Sequence, residues 1–397
     1  MAIEAAQVLS SDRTSLSDVL AVAKRIAEGV IRENATQIDK DCSWPEAGLR
    51  ALQAAGLGGL VVDRKFGGLG HGLMALAKVC EILGRECAST AICFGMHCVG
   101  SSVIAARATD HHAQAFLRPI CEGKHLTTLA LSEAGTGSHF YFPQTRLTHV
   151  DEATLRIDGQ KHFVTNGAHV DSYVVSVMNH DPEGLVQFSC TVLPDGTEGM
   201  TWHDSWQGFG MRGNDSRTLD LDGVHLDAGN LLGSEGDQIW YMFNVVAPYF
   251  LAAMSGTYLG VASDALEIVR AHLIAREFKH DGRRLADSSV LQQRLGTLWA
   301  KTEAVRQLLY NGARMFDAGD ENAVIHILSS KAEVADVATH VVNEAMTMMG
   351  GTAYRDGDRM QRHLRDVRAA HVMAPTTDLL RIWTGRKLLG LALFGDE

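Results

Sequence analysis

The chain has 397 residues, 46% hydrophobic and 21% charged, a globular composition with length for two or three domains. Its formal net charge of -11 argues against a nucleic-acid partner, because releasing counterions from phosphates needs a positive field. The 7 cysteines form no CxxC pair and the 18 histidines fall in no ligand-spaced arrangement, which argues against a metal site and for reduced thiols.

The opening MAIEAAQVLSSDR has no basic segment followed by an apolar one, so no secretory leader is expected and a cytoplasmic location is. No stretch reads as the roughly 18 apolar residues of a membrane span. The nearest, Ile239 to Gly260, is interrupted by Asn244 and Pro248 and reads as a buried helix.

Leu16, Val19, Leu20, Ala23, Ile26, Ala27 and Val30 form one apolar stripe at helical spacing, with Ser15 placed to cap it. A second helix follows Trp44-Pro45 and ends at Gly56. A glycine-rich loop, Phe66 to Gly70, leads to a helix carrying Leu73, Leu76, Val79, Ile82 and Leu83, and helix continues to about residue 120.

The pattern changes near His125. Leu155-Arg156-Ile157 and His162-Phe163-Val164 flank Asp158-Gly159, a pair that signals a hairpin. Ser172 to Val177 and Thr218 to Leu221 add strands, and the segment reads as an antiparallel β domain. Helix returns near Asp237, with long patterns over 237–276, 288–316, 321–349 and 376–392 that imply a four-helix bundle. The expected fold class is α+β, with a helical domain at 1–124, a β domain at 125–235 and a helical bundle at 236–397. The basic run from Arg355 to Arg368 suits the solvated or interface face of a helix.

Gly208-Phe209-Gly210-Met211-Arg212-Gly213 spells GxGxxG. A dinucleotide fingerprint needs a strand before it and a helix after it, so that pyrophosphate meets a helix N-terminus. Asn214 to Leu221 reads as turn and strand, so the glycines mark a turn and not an NAD site.

Several separated segments together resemble the acyl-CoA dehydrogenase superfamily. FGGLG at 66–70 is similar to its YGGLG-like loop, LSEAGTGS at 131–138 to TEPGxGS, and KHFVTNG at 161–167 to KxWITNG. GMRGNDS at 210–216 resembles GxRGSxT, while MGGTAY at 349–354 and RDVRAAHV at 365–372 resemble the closing GGxGY and RDA segments.

The resemblance implies bound FAD. It assigns Leu131 and Ser132 to the pyrimidine end and N5, and Phe163 and Thr165 to the ring, with Phe163 standing where a Trp is usual. Ser138 is assigned to phosphate or substrate, Thr376 to the cofactor, and Arg276 with Gly350 and Gly351 to FAD across a subunit interface. A homodimer or homotetramer follows, with an electron-transfer flavoprotein or a flavin reductase as redox partner. Taken singly, each residue has an ordinary reading as cap, core or surface side chain.

The sequence also departs from the resemblance. Counting from Arg365-Asp366, the usual base, a Glu, is replaced by Ala374, and the first bundle helix carries Leu251 where a substrate-holding Arg is usual. Glu133, Asp378, His162 and His371 are the nearest alternatives; Asp378 reads better as a helix cap and Glu133 as structural. The expected activity is therefore that of an FAD-dependent oxygenase or oxidase. Its substrate is expected to be small and hydrophobic, aromatic or CoA-linked, and the helix through Trp240, Tyr241, Phe243, Tyr249 and Phe250 is a candidate lining. The alternatives are an acyl-CoA dehydrogenase with a relocated base and a flavoprotein without catalysis.

Overall fold

The computed structural model describes Leu9 and residues 14–180 and 183–393. The opening segment read for a leader lies outside the described residues apart from Leu9.

Ser15 caps α1 (Leu16–Ile26): its hydroxyl accepts the Asp18 N–H, and the Asp18 carboxylate accepts the Ser15 N–H at 3.1 Å. The apolar stripe continues through a π turn at Ala27–Ile31, where Gly29 leaves helical geometry, and on into α2 (Arg32–Asp41). One sequence pattern thus serves two helices joined at a kink. There follow α3 (Glu46–Ala54), α4 (Leu73–Glu86), α5 (Ala88–Ala106) and the short α6 (Asp110–His112) and α7 (Arg118–Cys121).

The middle strands are β1 (Thr127–Ala130), β2 (Arg146–His149), β3 (Thr154–Val164), β4 (Ser172–His180), β5 (Val186–Pro194), β6 (Met200–Trp202), β7 (Arg217–Asp227) and β8 (Leu231–Leu232). They form one sheet in the order β6-β7-β3-β2-β4-β5-β8, with β1 also paired to β4.

Two sequence expectations are corrected here. The sheet is mixed, because β1 and β2 both run parallel to β4. Asp158-Gly159 is not a hairpin turn but an irregularity inside β3, where the pairing with β7 slips between Ile157 and Gly159. A Cβ on Gly159 would lie 2.8 Å from the Thr145 Cα, so the glycine answers a close approach of backbone.

The C-terminal part holds α8 (Gln238–Tyr241), α9 (Ala247–Ala275), α10 (Ser289–Asp317), α11 (Ala323–Met349), α12 (Arg359–Val367), α13 (Ala369–Val372) and α14 (Thr377–Leu388). The long helix α9 lies against α4, α5, α10 and α11. Its contact with α4 is backbone-close: a Cβ on Gly256 would stand 2.3 Å from the Ala77 carbonyl oxygen. Against the sequence expectation that no stretch is long and apolar enough for a membrane span, both α5 and the helical stretch 238–275 are so by length and composition. Their apolar windows are 94% and 89% buried, as suits helices at the centre of a packed protein.

The basic run becomes an interface helix. From α12, Arg359 pairs with Glu86 at 2.8 Å and with Asp264 at 2.7 Å, Arg365 pairs with Asp39 at 2.5 Å, and Asp366 accepts the Met211 N–H at 2.7 Å. One short helix thereby ties the N-terminal helices, the coil between β6 and β7 and the bundle together.

Candidate functional site

The site begins at the end of β3. Pairing with β7 slips again between Lys161 and Val164, and Phe163 takes a φ of 53°. That conformation is uncommon for a side chain of this bulk, and it turns the ring outward, where it is 65% exposed. The bulge re-aims one side chain, as bulges beside functional sites do.

Neighbouring segments are tied to this point. The His162 N–H donates to the Ser132 carbonyl at 2.8 Å, and the Thr128 hydroxyl donates to the Thr165 carbonyl at 3.0 Å. The Thr165 and Ser216 hydroxyls lie 3.1 Å apart. Leu131, Ser132, Phe163 and Thr165 therefore form one cluster, with Ser216 added. Sequence reasoning had not named Ser216, although it ends the GMRGNDS segment.

Half-buried Ser138 follows in the loop after β1. Just beyond it Tyr141 packs against Trp383 of α14 and Phe243, with centroids 6.1 and 5.8 Å away. These rings join the loop to the bundle. Thr376 caps α14 by accepting the Leu379 N–H at 3.4 Å. The segment before it, which carries Ala374, is gripped from below by Lys331, whose ammonium reaches the Met373 carbonyl at 3.2 Å and the Pro375 carbonyl at 2.8 Å. Burial pushes Lys331 down to about 8. Nothing in the sequence marked this lysine, since most lysines are solvated.

Arg276 lies exposed at the end of α9, and Gly350 and Gly351 lie exposed after α11. Neither makes a hydrogen bond or ion pair with the Ser132–Thr165 cluster of this chain. A Cβ added to either glycine would meet no atom within 4 Å, so this surface is open.

Three of the four alternative bases are otherwise engaged. Glu133 accepts from the Gln144 N–H at 2.7 Å, the Thr145 hydroxyl at 2.7 Å and the Lys161 ammonium at 2.5 Å. His371 is held by Asp336 at 2.9 Å and His162 by Gln160 at 2.7 Å. Asp378 is exposed in the first turn of α14, and the cap expected of it is made by Thr376. Leu251 is fully buried in the core.

Of the proposed aromatic lining, only Phe243 reaches the Tyr141–Trp383 group. Tyr241 is buried, Tyr249 packs on Phe316, and Trp240 lies under the Arg107 guanidinium at 3.9 Å. The GxGxxG segment is coil between β6 and β7 with no helix behind it, as its flanking residues implied.

The exposed ring of Phe163 and the hydroxyls of the neighbouring Ser132, Thr165 and Ser216 suit a planar cofactor with a polar edge. Comparison with known proteins agrees. The acyl-CoA dehydrogenase N-terminal, middle and C-terminal domain models match residues 15–124, 128–224 and 252–389. The chain is 28% identical to the cyclohex-1-ene-1-carbonyl-CoA dehydrogenase of Geobacter metallireducens over 373 residues, 93% of this chain and 97% of that protein. Butyryl-CoA dehydrogenase from Megasphaera elsdenii superposes with a TM-score of 0.89 at 25% identity, covering 95% of this chain and 99% of that one. The prolyl acyl carrier protein oxidase AnaB, at 20% identity, shares the fold with a TM-score of 0.84 over 96% of this chain and 100% of that one. With all three domain models matched in order along a fold of helices, sheet and helices, the chain belongs to the acyl-CoA dehydrogenase superfamily of FAD-dependent oxidoreductases.

Proposed function

We propose that this enzyme couples its flavin to oxygen, as an oxygenase or oxidase, on a small hydrophobic, aromatic or CoA-linked substrate. The observation that carries this reading is the side chain at position 374. Desaturating a thioester requires a base within hydrogen-bond reach of the α-proton. Ala374 offers none, and Glu133, the buried carboxylate on the loop beside the cluster, has its oxygens taken by Lys161, Thr145 and Gln144.

Bound FAD supplies two-electron redox chemistry and, once reduced, reactivity toward dioxygen. The residues of this chain hold and shield it: Ser132 and Thr165 present polar groups, Leu131 and Phe163 cover the ring, and Ser138 and Thr376 close the site from the loop and α14. Arg276, Gly350 and Gly351 serve the cofactor of a second copy, which makes the enzyme a homodimer or homotetramer. A flavin reductase or an electron-transfer flavoprotein completes the electron path. A cytoplasmic location belongs to the same reading and rests on the seven free cysteines.

A second reading, an acyl-CoA dehydrogenase with a relocated base, is favoured by the dehydrogenases at 28% and 25% identity. One experiment separates the two: anaerobic titration of the purified flavoprotein with a panel of acyl-CoAs. We expect the flavin to stay oxidised with every thioester, and the dithionite-reduced enzyme to consume oxygen. Anaerobic bleaching by any acyl-CoA would overturn the oxygen reading in favour of the dehydrogenase.

A further inference from the structure

A second ring stands beside Phe163. Trp206 lies in the coil between β6 and β7, its centroid 6.1 Å from that of Phe163 and its plane at 82°, an edge-to-face pair. No strand ladder fixes this coil, yet the tryptophan is held on several sides. Its backbone N–H donates to Asp215 at 3.0 Å. The other Asp215 oxygen takes His169 at 2.5 Å and Arg217 at 2.7 Å. Burial opposes the charge on Asp215, but these bonds outweigh it and bring the carboxyl down to about 2.

Gly208 completes the holder, because a Cβ there would fall 2.2 Å from the indole nitrogen of Trp206. The support extends into the N-terminal helices. His169 stacks on Trp44 at 4.7 Å and 6°, and the Trp44 indole donates to Asn166 at 2.8 Å. A continuous line of contacts thus runs from Trp44 through His169, Asp215 and Trp206 to Phe163.

Phe163 needs such a brace. Its backbone is in the left-handed region and its ring is largely exposed, and a strained residue keeps its conformation only where its surroundings over-determine it. We propose that Trp206 is a positioning residue of the flavin site, bracing the Phe163 ring against the isoalloxazine, with Asp215 as its anchor. The inference rests on the flavin reading given above. It adds that the ring-covering wall is made by two aromatic residues from separate segments, and that a carboxylate distant from the reaction fixes their angle.

The test compares FAD-loaded wild type with W206L, W206F and D215N. The readouts are visible circular dichroism of the bound flavin, which reports the fixed asymmetry around the ring, and the FAD dissociation constant. W206L is expected to lower the flavin dichroism at least twofold and to weaken FAD binding about tenfold, the scale expected for losing one well-packed aromatic contact. W206F retains an aromatic edge and is expected to stay near wild type in both. D215N is expected to move both readouts in the direction of W206L.

If W206L melts earlier but keeps the wild-type flavin signal and affinity, Trp206 is only structural and the inference is overturned. If W206L does not fold, D215N decides, and an unchanged flavin signal in D215N overturns the inference. A wild-type protein that takes up no FAD would instead overturn the flavin reading itself, and the inference with it.

Discussion

Lys161 and Glu133 form an ion pair of 2.5 Å with both side chains shut off from water. Lys161 also donates to the Ser176 carbonyl at 2.6 Å, and Glu133 also accepts two backbone N–H groups and a hydroxyl. The pair fastens the loop after β1 to β3 and β4, directly beneath the segment that carries Ser132.

Breaking it from one side strands a buried charge, so E133Q or K161M should each cost about 3–5 kcal/mol of stability in denaturant unfolding. The double variant E133Q/K161M should cost less than the sum. Burial works against the charge on Glu133, but Lys161, Thr145 and Gln144 overcome it and hold the carboxyl below its ordinary value. A lowered carboxylate contributes stability that is full above its unfolded value of about 4.3 and is lost as pH falls through the folded value. The acid limb of the stability curve should therefore be shallower in E133Q than in wild type. An E133Q protein as stable as wild type but inactive would return Glu133 to the list of bases.

Helices were the legible part of the sequence, because their signals are local. The stripe beginning at Leu16 and the cap at Ser15 need only neighbours in sequence, and both are in place. The sheet was less legible. The parallel pairing of β1 with β4 joins Thr127 to Ser172, a contact no short window contains, and Asp158-Gly159 carries the letters of a turn while serving a bulge against Thr145.

The site was legible only where motifs name it. Ser132, Phe163 and Thr165 lie in recognisable segments, and the structure clusters them. Lys331 and Trp206 do not stand out, since one looks like any helix-surface lysine and the other sits in coil without periodicity. Their roles come from what the fold packs against them.

Arg276 is exposed and touches none of the clustered site residues of its own chain, so its loss should leave folding nearly unchanged, within about 0.5 kcal/mol for an ordinary surface substitution. If it meets the phosphates of a second copy's FAD, R276A should lose a charge-assisted contact worth about 1.5–3 kcal/mol, seen as a fall of tenfold or more in FAD affinity. Flavin occupancy measured after dialysis, alongside thermal unfolding of the apoprotein, checks both halves. Unchanged occupancy would remove Arg276 from the cofactor site.

Ala374 sits half-buried on a segment whose flanking carbonyls are both gripped by Lys331. A glutamate placed there would emerge from a backbone that is already fixed. A374E should therefore show anaerobic flavin bleaching by at least one acyl-CoA that leaves wild type oxidised. A correctly placed general base contributes about 10²–10⁴-fold, so even a poor geometry should rise above a flat baseline. An A374E enzyme that stays oxidised with every thioester would mean that the pocket no longer admits CoA substrates, and would point to a free aromatic or hydrophobic one.

Lys331 carries the last prediction. Burial brings its ammonium down to about 8, against an ordinary value of about 10.4. Between those values the unfolded chain binds more protons than the folded one, so this group makes stability rise with pH across that window. Buried thiols act oppositely: Cys80 and Cys190, pushed up to about 12 by burial, keep their protons in the folded chain while the unfolded chain loses them. The wild-type curve mixes both slopes, and only its difference from a variant isolates the lysine.

K331M should leave the Met373 and Pro375 carbonyls without this donor, at about 1–3 kcal/mol for each buried group left unsatisfied. Its stability should also fall more steeply than that of wild type between pH 8 and 10. Thermal unfolding of both proteins across that range gives the difference directly. Parallel curves would show that Lys331 keeps its proton in the folded chain across this range, as the unfolded chain does. Since the same segment ends in Thr376, K331M should also release FAD faster than wild type, and a variant with altered pH slope but unaltered FAD release would confine the lysine to folding.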